Sequence, residues 1–514
     1  MEAIQRLIPE GLPVSVQMVI VALVLSTIYS LITADRPFPG FPVISVDGQN
    51  PRKSWTWNGR KALAEGARRF SGPFQVVTGT GPKIVLPNKF ADELRNHPKL
   101  DFNKAFSKDF MSNYPGFDAI RLGLSGDQLV QVTVRTKLTQ SLGLITEDLV
   151  EETSASVKDV FGDNEEWTTR RIRDDMLEVV ARISSRVFLG KELCRNRRWL
   201  DISKSYTIDL FVVSAIMRGV PAFFRPLVYI LLPQSTSLRR SVRDARKLID
   251  PEVKRRKEAV DAAHAAGKKP PKIADTIGWM YEIMGGADHD YVAAQLSLTT
   301  AAIHTTTEVS CSTLLDICEY PGLAQELREE VIQVIGEHGW AKTSLYKLKL
   351  MDSFLKEGQR FHPLGATTMH RYVDEDLTLS DGTALPKGSR MVVASNFRDP
   401  KIYSNPDKFD AARFLEMRSQ PGQENGWQFV TTGPAHTTFG HGQHACPGRF
   451  FASNEVKIVL CYLLLNYEWR FVPDEGRPTP RVFEASCSVD QKSQIQVRRR
   501  KAEIDLDNLQ VPII

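Results

Sequence analysis

The sequence predicts a mainly α-helical protein with a small β region, held behind an N-terminal transmembrane helix. Three observations predict this. Helix-patterned stretches (126–190, 291–319, 450–467) dominate the chain, strand patterns are short and lie near 74–86 and 373–379, and residues 14–32 carry no charge. Of the 514 residues 42% are hydrophobic, enough for a sizeable core, and 25% are charged, an ordinary value for a soluble domain. A net charge of +5 is too small at this length to argue for nucleic acid. The six cysteines are scattered without paired spacing, which points to a reducing compartment and away from a disulfide scaffold.

The run Val14 to Ile32 is rich in Val, Leu and Ile and as a helix would reach roughly 28 Å, about the thickness of a hydrocarbon core. A cleaved signal peptide is the alternative. Acids beside Arg6 in the first ten residues, and no clear small-x-small site afterwards, favour a retained anchor over residues 1–36. Arg36, Arg52, Lys53, Arg60 and Lys61 follow it, so the positive-inside rule puts the main body, 37–514, in the cytosol. The proline-rich stretch 36–42 reads as a stiff hinge.

Next come a helix over 57–70 and a hairpin of 74–78 with 83–86 around Gly79–Pro82. Residues 101–124 show little periodicity and read as a loop, facing substrate or solvent. The apolar stretch 210–233 is interrupted by Arg218, Pro221, Arg225 and Pro226, which argues against a second span and leaves a core helix pair. Basic residues 235–272 read as a solvated helix and linker. Asp288 or Asp290 can cap a helix from Tyr291 to Glu319, stopped by Pro321 and loosened in the middle by a run of threonines.

Chemistry concentrates in Phe439-Gly440-His441-Gly442-Gln443-His444-Ala445-Cys446-Pro447-Gly448-Arg449-Phe450. Its glycines permit backbone conformations closed to other residues and close approach to a flat ligand, so the loop can hold one sulfur rigidly with N–H groups turned toward it. The alternatives are a buried small cysteine or a zinc site using His436, His441, His444 and Cys446. Upstream, Ala301-Ala302-Ile303-His304-Thr305-Thr306 sits mid-helix, Glu357 and Arg360 stand three apart, and Phe409-Asp410-x-x-Arg413-Phe414 follows. Taken singly, these read as core packing and weak surface pairing.

Together, and in this order, they resemble the cytochrome P-450 family from about residue 37 to 500, most closely its filamentous-fungal members from secondary metabolism. The resemblance implies a single mainly helical haem domain in which Cys446 is the axial thiolate ligand of the iron. Phe439, Gly440, Gly442, His444 and Gly448 would form the haem loop, with His444 where arginine is usual. Arg371 and Arg135 would reach the haem propionates, although Gln131 replaces the tryptophan that usually accompanies the latter. Ala301 and Ala302 would leave room above the iron, Leu364 and Ala366 would line the pocket, and Thr305 would support proton delivery during O2 activation. His304 replaces the usual acid and can relay protons or orient substrate. Glu357, Arg360 and Arg413 would form a buried structural triad. The implied reaction is insertion of one oxygen atom from O2 into a hydrophobic substrate, a terpenoid or related secondary metabolite. Electrons would come from a membrane-bound NADPH-cytochrome P-450 reductase, at the endoplasmic reticulum. The rival readings are a haem-thiolate isomerase, dehydratase or peroxygenase, and a non-catalytic haem protein.

Overall fold

The computed structural model describes residues 13–32, 36–270 and 272–509, with side chains for all of these except 26–32. Helix α1 is Val14–Ile32 and α2 is Pro51–Arg69; Asn50 caps the latter by accepting the Arg52 N–H at 3.0 Å, with proline at the first helical position. Strands β1 (Phe74–Thr78) and β2 (Gly81–Leu86) form the expected hairpin, with Phe74 opposite Val85. Strand β3 (Leu100–Asp101) leads into α3 (Phe102–Phe110), and Asp101 accepts the Lys104 N–H at 2.8 Å. There follow α4 (Leu142–Phe161), β4 (Thr168–Arg171), α5 (Ile172–Leu189), α6 (Arg197–Gly219), α7 (Arg225–Leu231) and α8 (Pro233–Ala265). The chain continues through α9 (Tyr291–Glu319), α10 (Lys349–Phe361), β5 (Thr367–Val373), β6 (Arg390–Ala394), α11 (Arg449–Asn466), β7 (Tyr467–Arg470) and β8 (Gln494–Arg499).

A five-stranded sheet runs β1-β2-β6-β5-β3, and a three-stranded one runs β4-β8-β7. All pairs in them are antiparallel except β2 with β6. The helical body is centred on α9, which packs against α5, α6, α8, α10 and α11. Its ends match the sequence reading: Asp290 accepts the Ala293 N–H at 3.0 Å, and Pro321 opens the next helix.

Three expectations need correction, and the transmembrane span is not shown. Among the described residues no helix is long and apolar enough to cross a membrane. Residues 1–12 and 33–35 of the expected anchor, and the side chains of 26–32, lie outside what the structure describes. Residues 126–190 are not continuous helix. A π-helical turn occupies Thr133–Leu138, and Gly162 (φ +69°) ends α4 so that β4 can pair with β8, a partner more than three hundred residues away. The stretch 101–124 holds two helices, α3 and Asp118–Gly123, rather than a loop. The strand expected at 373–379 instead ends at Val373, with a separate two-residue pairing of Leu377–Thr378 with Ala384–Leu385 around the expected turn at Gly382 (φ +87°).

Candidate haem and oxygen site

The loop before α11 needs its glycines. Gly440 and Gly442 have φ of +74° and +75°. A Cβ on Gly442 would also sit 2.6 Å from both Arg95 Cβ and Asn96 Oδ1. The loop is pinned from within by the Cys446 N–H on the Phe439 carbonyl at 2.7 Å. From outside, Asn96 Oδ1 accepts the Gln443 N–H at 2.7 Å and His441 Nε2 meets Asp92 Oδ1 at 2.8 Å. Sequence reasoning missed Asp92 and Asn96, because nothing local marks a polar residue that will face a loop some 350 positions later.

Cys446 stands just before the first turn of α11. Burial raises its thiol pKa, while the backbone N–H groups of Gly448 and Arg449 and the Arg449 guanidinium act the other way. These donors favour the thiolate once a cation binds the sulfur, which removes the proton outright. The zinc alternative loses its geometry. His441 turns to Asp92, His444 stacks on Phe102, and His436 lies near Gln359 and Thr438. No metal-holding cluster of three such side chains occurs among the described residues.

On α9, buried along most of its length, Ala301 and Thr305 are exposed. Four residues apart, they share one face. The Thr305 hydroxyl donates to the Ala301 carbonyl at 2.7 Å, with the Ala302 carbonyl at 3.1 Å. Thr299 and Thr307 likewise bond the carbonyls of Gln295 and Ile303 one turn back. His304 does not join this open face. Its Nε2 lies 2.9 Å from the Lys204 carbonyl on α6, so that nitrogen carries the proton, and burial lowers the ring pKa to about 4.

A β-bulge between Thr368 and Arg371, with Met369 at φ +53°, shifts the register of β5 against β6. Arg371 follows it, 2% exposed. One of its terminal nitrogens donates to the His370 carbonyl at 2.9 Å, and the other is buried with no hydrogen-bond partner among the described residues. Burial lowers its pKa to about 10 despite the charge of Asp101. Phe102 carries both this guanidinium, 5.7 Å from its centroid, and the His444 ring, stacked at 5.1 Å. His444 is pushed down to about 4 by burial and by the positive charges of Arg371 and Arg135. Two arginines and a histidine thus converge around an orphaned buried donor, an arrangement that fits a ligand carrying carboxylates. Arg135 sits in the π-helical turn and is exposed, and Gln131 instead donates to the Gly123 carbonyl. Leu364 and Ala366 lie half-buried before β5, tied to the backbone of Cys487 and Ala485.

The sequence matches the cytochrome P450 family profile over residues 128–497. The chain belongs to the cytochrome P450 family. It is 43% identical over 479 residues to the cytochrome P450 monooxygenase bsc2 of Alternaria brassicicola, covering 92% of this chain and 91% of that protein. It is 39% identical over 494 residues to the cytochrome P450 monooxygenase adrA of Penicillium rubens, with 93% and 95% covered. Against cytochrome P450 monooygenase 1 of Gibberella fujikuroi it is 41% identical over 436 residues, with 84% and 98% covered. P450 proteins bind haem through a cysteine thiolate, so haem is the cofactor here, and the family is one of oxidoreductases.

The P450 body behind this site is braced by a buried carboxylate. Glu357 takes both Nε and a terminal nitrogen of Arg360 at 2.7 Å, Arg413 Nε at 3.1 and 3.2 Å, and the Asp410 N–H at 3.0 Å. The three charged groups expected to associate do so, and Asp410 joins them through its backbone.

Proposed function

We propose that this P450 is a monooxygenase in which the Cys446 thiolate would hold the haem iron, acting on a hydrophobic terpenoid or related secondary metabolite. The observation that carries it is the Ala301–Thr305 opening on an otherwise buried α9, a small residue and a hydroxyl side by side. Thiolate-ligated haem supplies the reductive activation of O2 and the insertion of one oxygen atom into a C–H bond.

The chain's own residues bind, orient and handle protons. Phe439, Gly440, Gly442 and Gly448 shape the loop that aims Cys446, and the Gly448 and Arg449 N–H groups hold charge on its sulfur. Arg371, Arg135 and His444 would hold the propionates, which would satisfy the orphaned Arg371 donor. Ala301 and Ala302 leave room, Leu364 and Ala366 give an apolar wall, and Thr305 accepts and passes a proton at Oγ1. His304, bonded across to α6, orients α9 over the pocket. Electrons come from a membrane-bound NADPH-dependent reductase. The segment 1–36 anchors the chain at the endoplasmic reticulum, with Phe223, Leu227, Ile230 and Leu231, all exposed, touching the bilayer beside it.

Co-expression with a P450 reductase, candidate terpenoids and ¹⁸O2 tests the reading. An NADPH-dependent product with one labelled oxygen is expected. Unlabelled rearranged or dehydrated product, or turnover on peroxide alone, would replace it with the isomerase, dehydratase or peroxygenase reading. Cys446→Ser should abolish the red-shifted Soret band of the reduced CO complex; a retained band would move the ligand elsewhere.

A further inference from the structure

Position 304 does not present an acid to the oxygen side, and its histidine points away. Its Nε2–H is committed to the Lys204 carbonyl, and a ring with a pKa of about 4 carries no excess proton at neutral pH. Thr305 has committed its own hydrogen to the Ala301 carbonyl, so on its open side Oγ1 presents lone pairs and needs a donor.

Along the same stripe of α9, at spacings i, i+4 and i+7, stand Ala301, Thr305 and Glu308. Glu308 is 6% exposed, an acid inside the helix one turn beyond Thr305. One carboxylate oxygen accepts the Val489 N–H. The other lies 3.7 Å from Arg173 Nε on α5, and that nitrogen has no hydrogen-bond partner among the described residues. Val489 lies two residues after Cys487, whose N–H holds the Leu364 carbonyl, so the carboxyl sits against the segment that borders the pocket wall.

We infer that Glu308 is the proton donor to Thr305 in this chain, taking the part left vacant by His304. The inference rests on the monooxygenase reading and deepens it. In the step, Thr305 turns its own hydrogen off the Ala301 carbonyl and releases it toward the oxygen side, while the Glu308 O–H bond breaks and a new O–H bond forms at Thr305 Oγ1, directly or through one water. Glu308 recovers a proton from solvent on the side of Arg173, whose side chain is 14% exposed. No electrons leave the protein. Burial raises the Glu308 carboxyl to about 7, against the Val489 N–H and Arg173, so at neutral pH it exists in both forms. The groups facing it are Arg173 from α5, Val489 and Cys487 from the C-terminal segment, and Cys311 on α9 itself.

The test uses full-length haem protein, a P450 reductase, NADPH and O2, with no organic substrate. O2 is then reduced to peroxide (one NADPH each) or to water (two NADPH each), and water needs the additional protons. Peroxide released per NADPH should rise at least about twofold in Glu308→Gln, which keeps the acceptor for Val489, and fall back in Glu308→Asp. The wild-type ratio should climb as pH passes about 7, while that of Glu308→Gln stays flat. Infrared difference spectra of the CO complex should contain a protonated-carboxyl band that titrates over the same range and is missing in Glu308→Gln. An unchanged ratio in Glu308→Gln, or a band that survives the substitution, overturns the inference. NADPH oxidation no faster than with the reductase alone would instead overturn the monooxygenase reading, and this inference with it.

Discussion

Arg360 meets Glu357 with two parallel hydrogen bonds of 2.7 Å, and both side chains are 0% exposed. The fork geometry of the guanidinium matches the carboxylate, and its remaining nitrogen donates to the Phe397 and Pro406 carbonyls at 2.8 and 2.7 Å. Arg360 therefore joins α10 to the segment 397–408, while Arg413 brings the short helix Arg413–Ser419 onto the same carboxylate.

Glu357→Gln leaves two buried guanidinium groups without a counter-charge, which costs about 3–5 kcal/mol. The expected outcome is little or no haem-loaded protein and a lowered melting temperature, checked by haem content per polypeptide and thermal denaturation. Arg360→Lys should fail in the same way, since an ammonium cannot reproduce the paired bonds.

Arg371→Met removes a buried cation whose second terminal nitrogen has no partner among the described residues. The haem-free fold should be at least as stable as the parent, because a desolvated charge is gone. Haem should leave about tenfold faster, the worth of one charge-assisted hydrogen bond. Transfer to an excess of a haem-scavenging apoprotein measures this, and unchanged retention would remove Arg371 from the propionate site.

His304→Ala should keep haem but loosen α9 from α6, costing about 1 kcal/mol for the lost hydrogen bond. The folded pKa is about 4 against 6.5 for the free ring, so between those values the unfolded chain binds the extra proton. Stability from this group is therefore complete above pH 6.5 and is lost as pH falls toward 4, by up to about 1.4 kcal/mol per unit. Denaturation curves at pH 5 and 7 should converge between parent and variant at the lower pH. If the gap stays constant, the ring contributes packing alone.

A chain lacking residues 1–36 should still fold, and part of it should float with phospholipid vesicles through Phe223, Leu227, Ile230 and Leu231. Replacing Leu227 and Ile230 by serine in that shortened chain should release it. A shortened chain wholly in the vesicle-free fraction would count against this second contact.

The sequence by itself determined the motifs whose partners are local. The ends of α9, the β1–β2 hairpin, the Glu357–Arg360 spacing and the glycines around Cys446 all follow from capping, period and conformational freedom within a few residues. Tertiary structure alone decided what depends on distant partners. The break at 162–171 exists because β8 supplies a strand to pair with, and Arg371 is aimed by a bulge against β6. The bond to Lys204 turns His304 away from Thr305, and burial against Val489 and Arg173 makes Glu308 a carboxyl that holds its proton near neutrality. Hydrogen-bond direction and desolvation are set by whichever atoms fold against a side chain, and spacing along the chain does not carry that information.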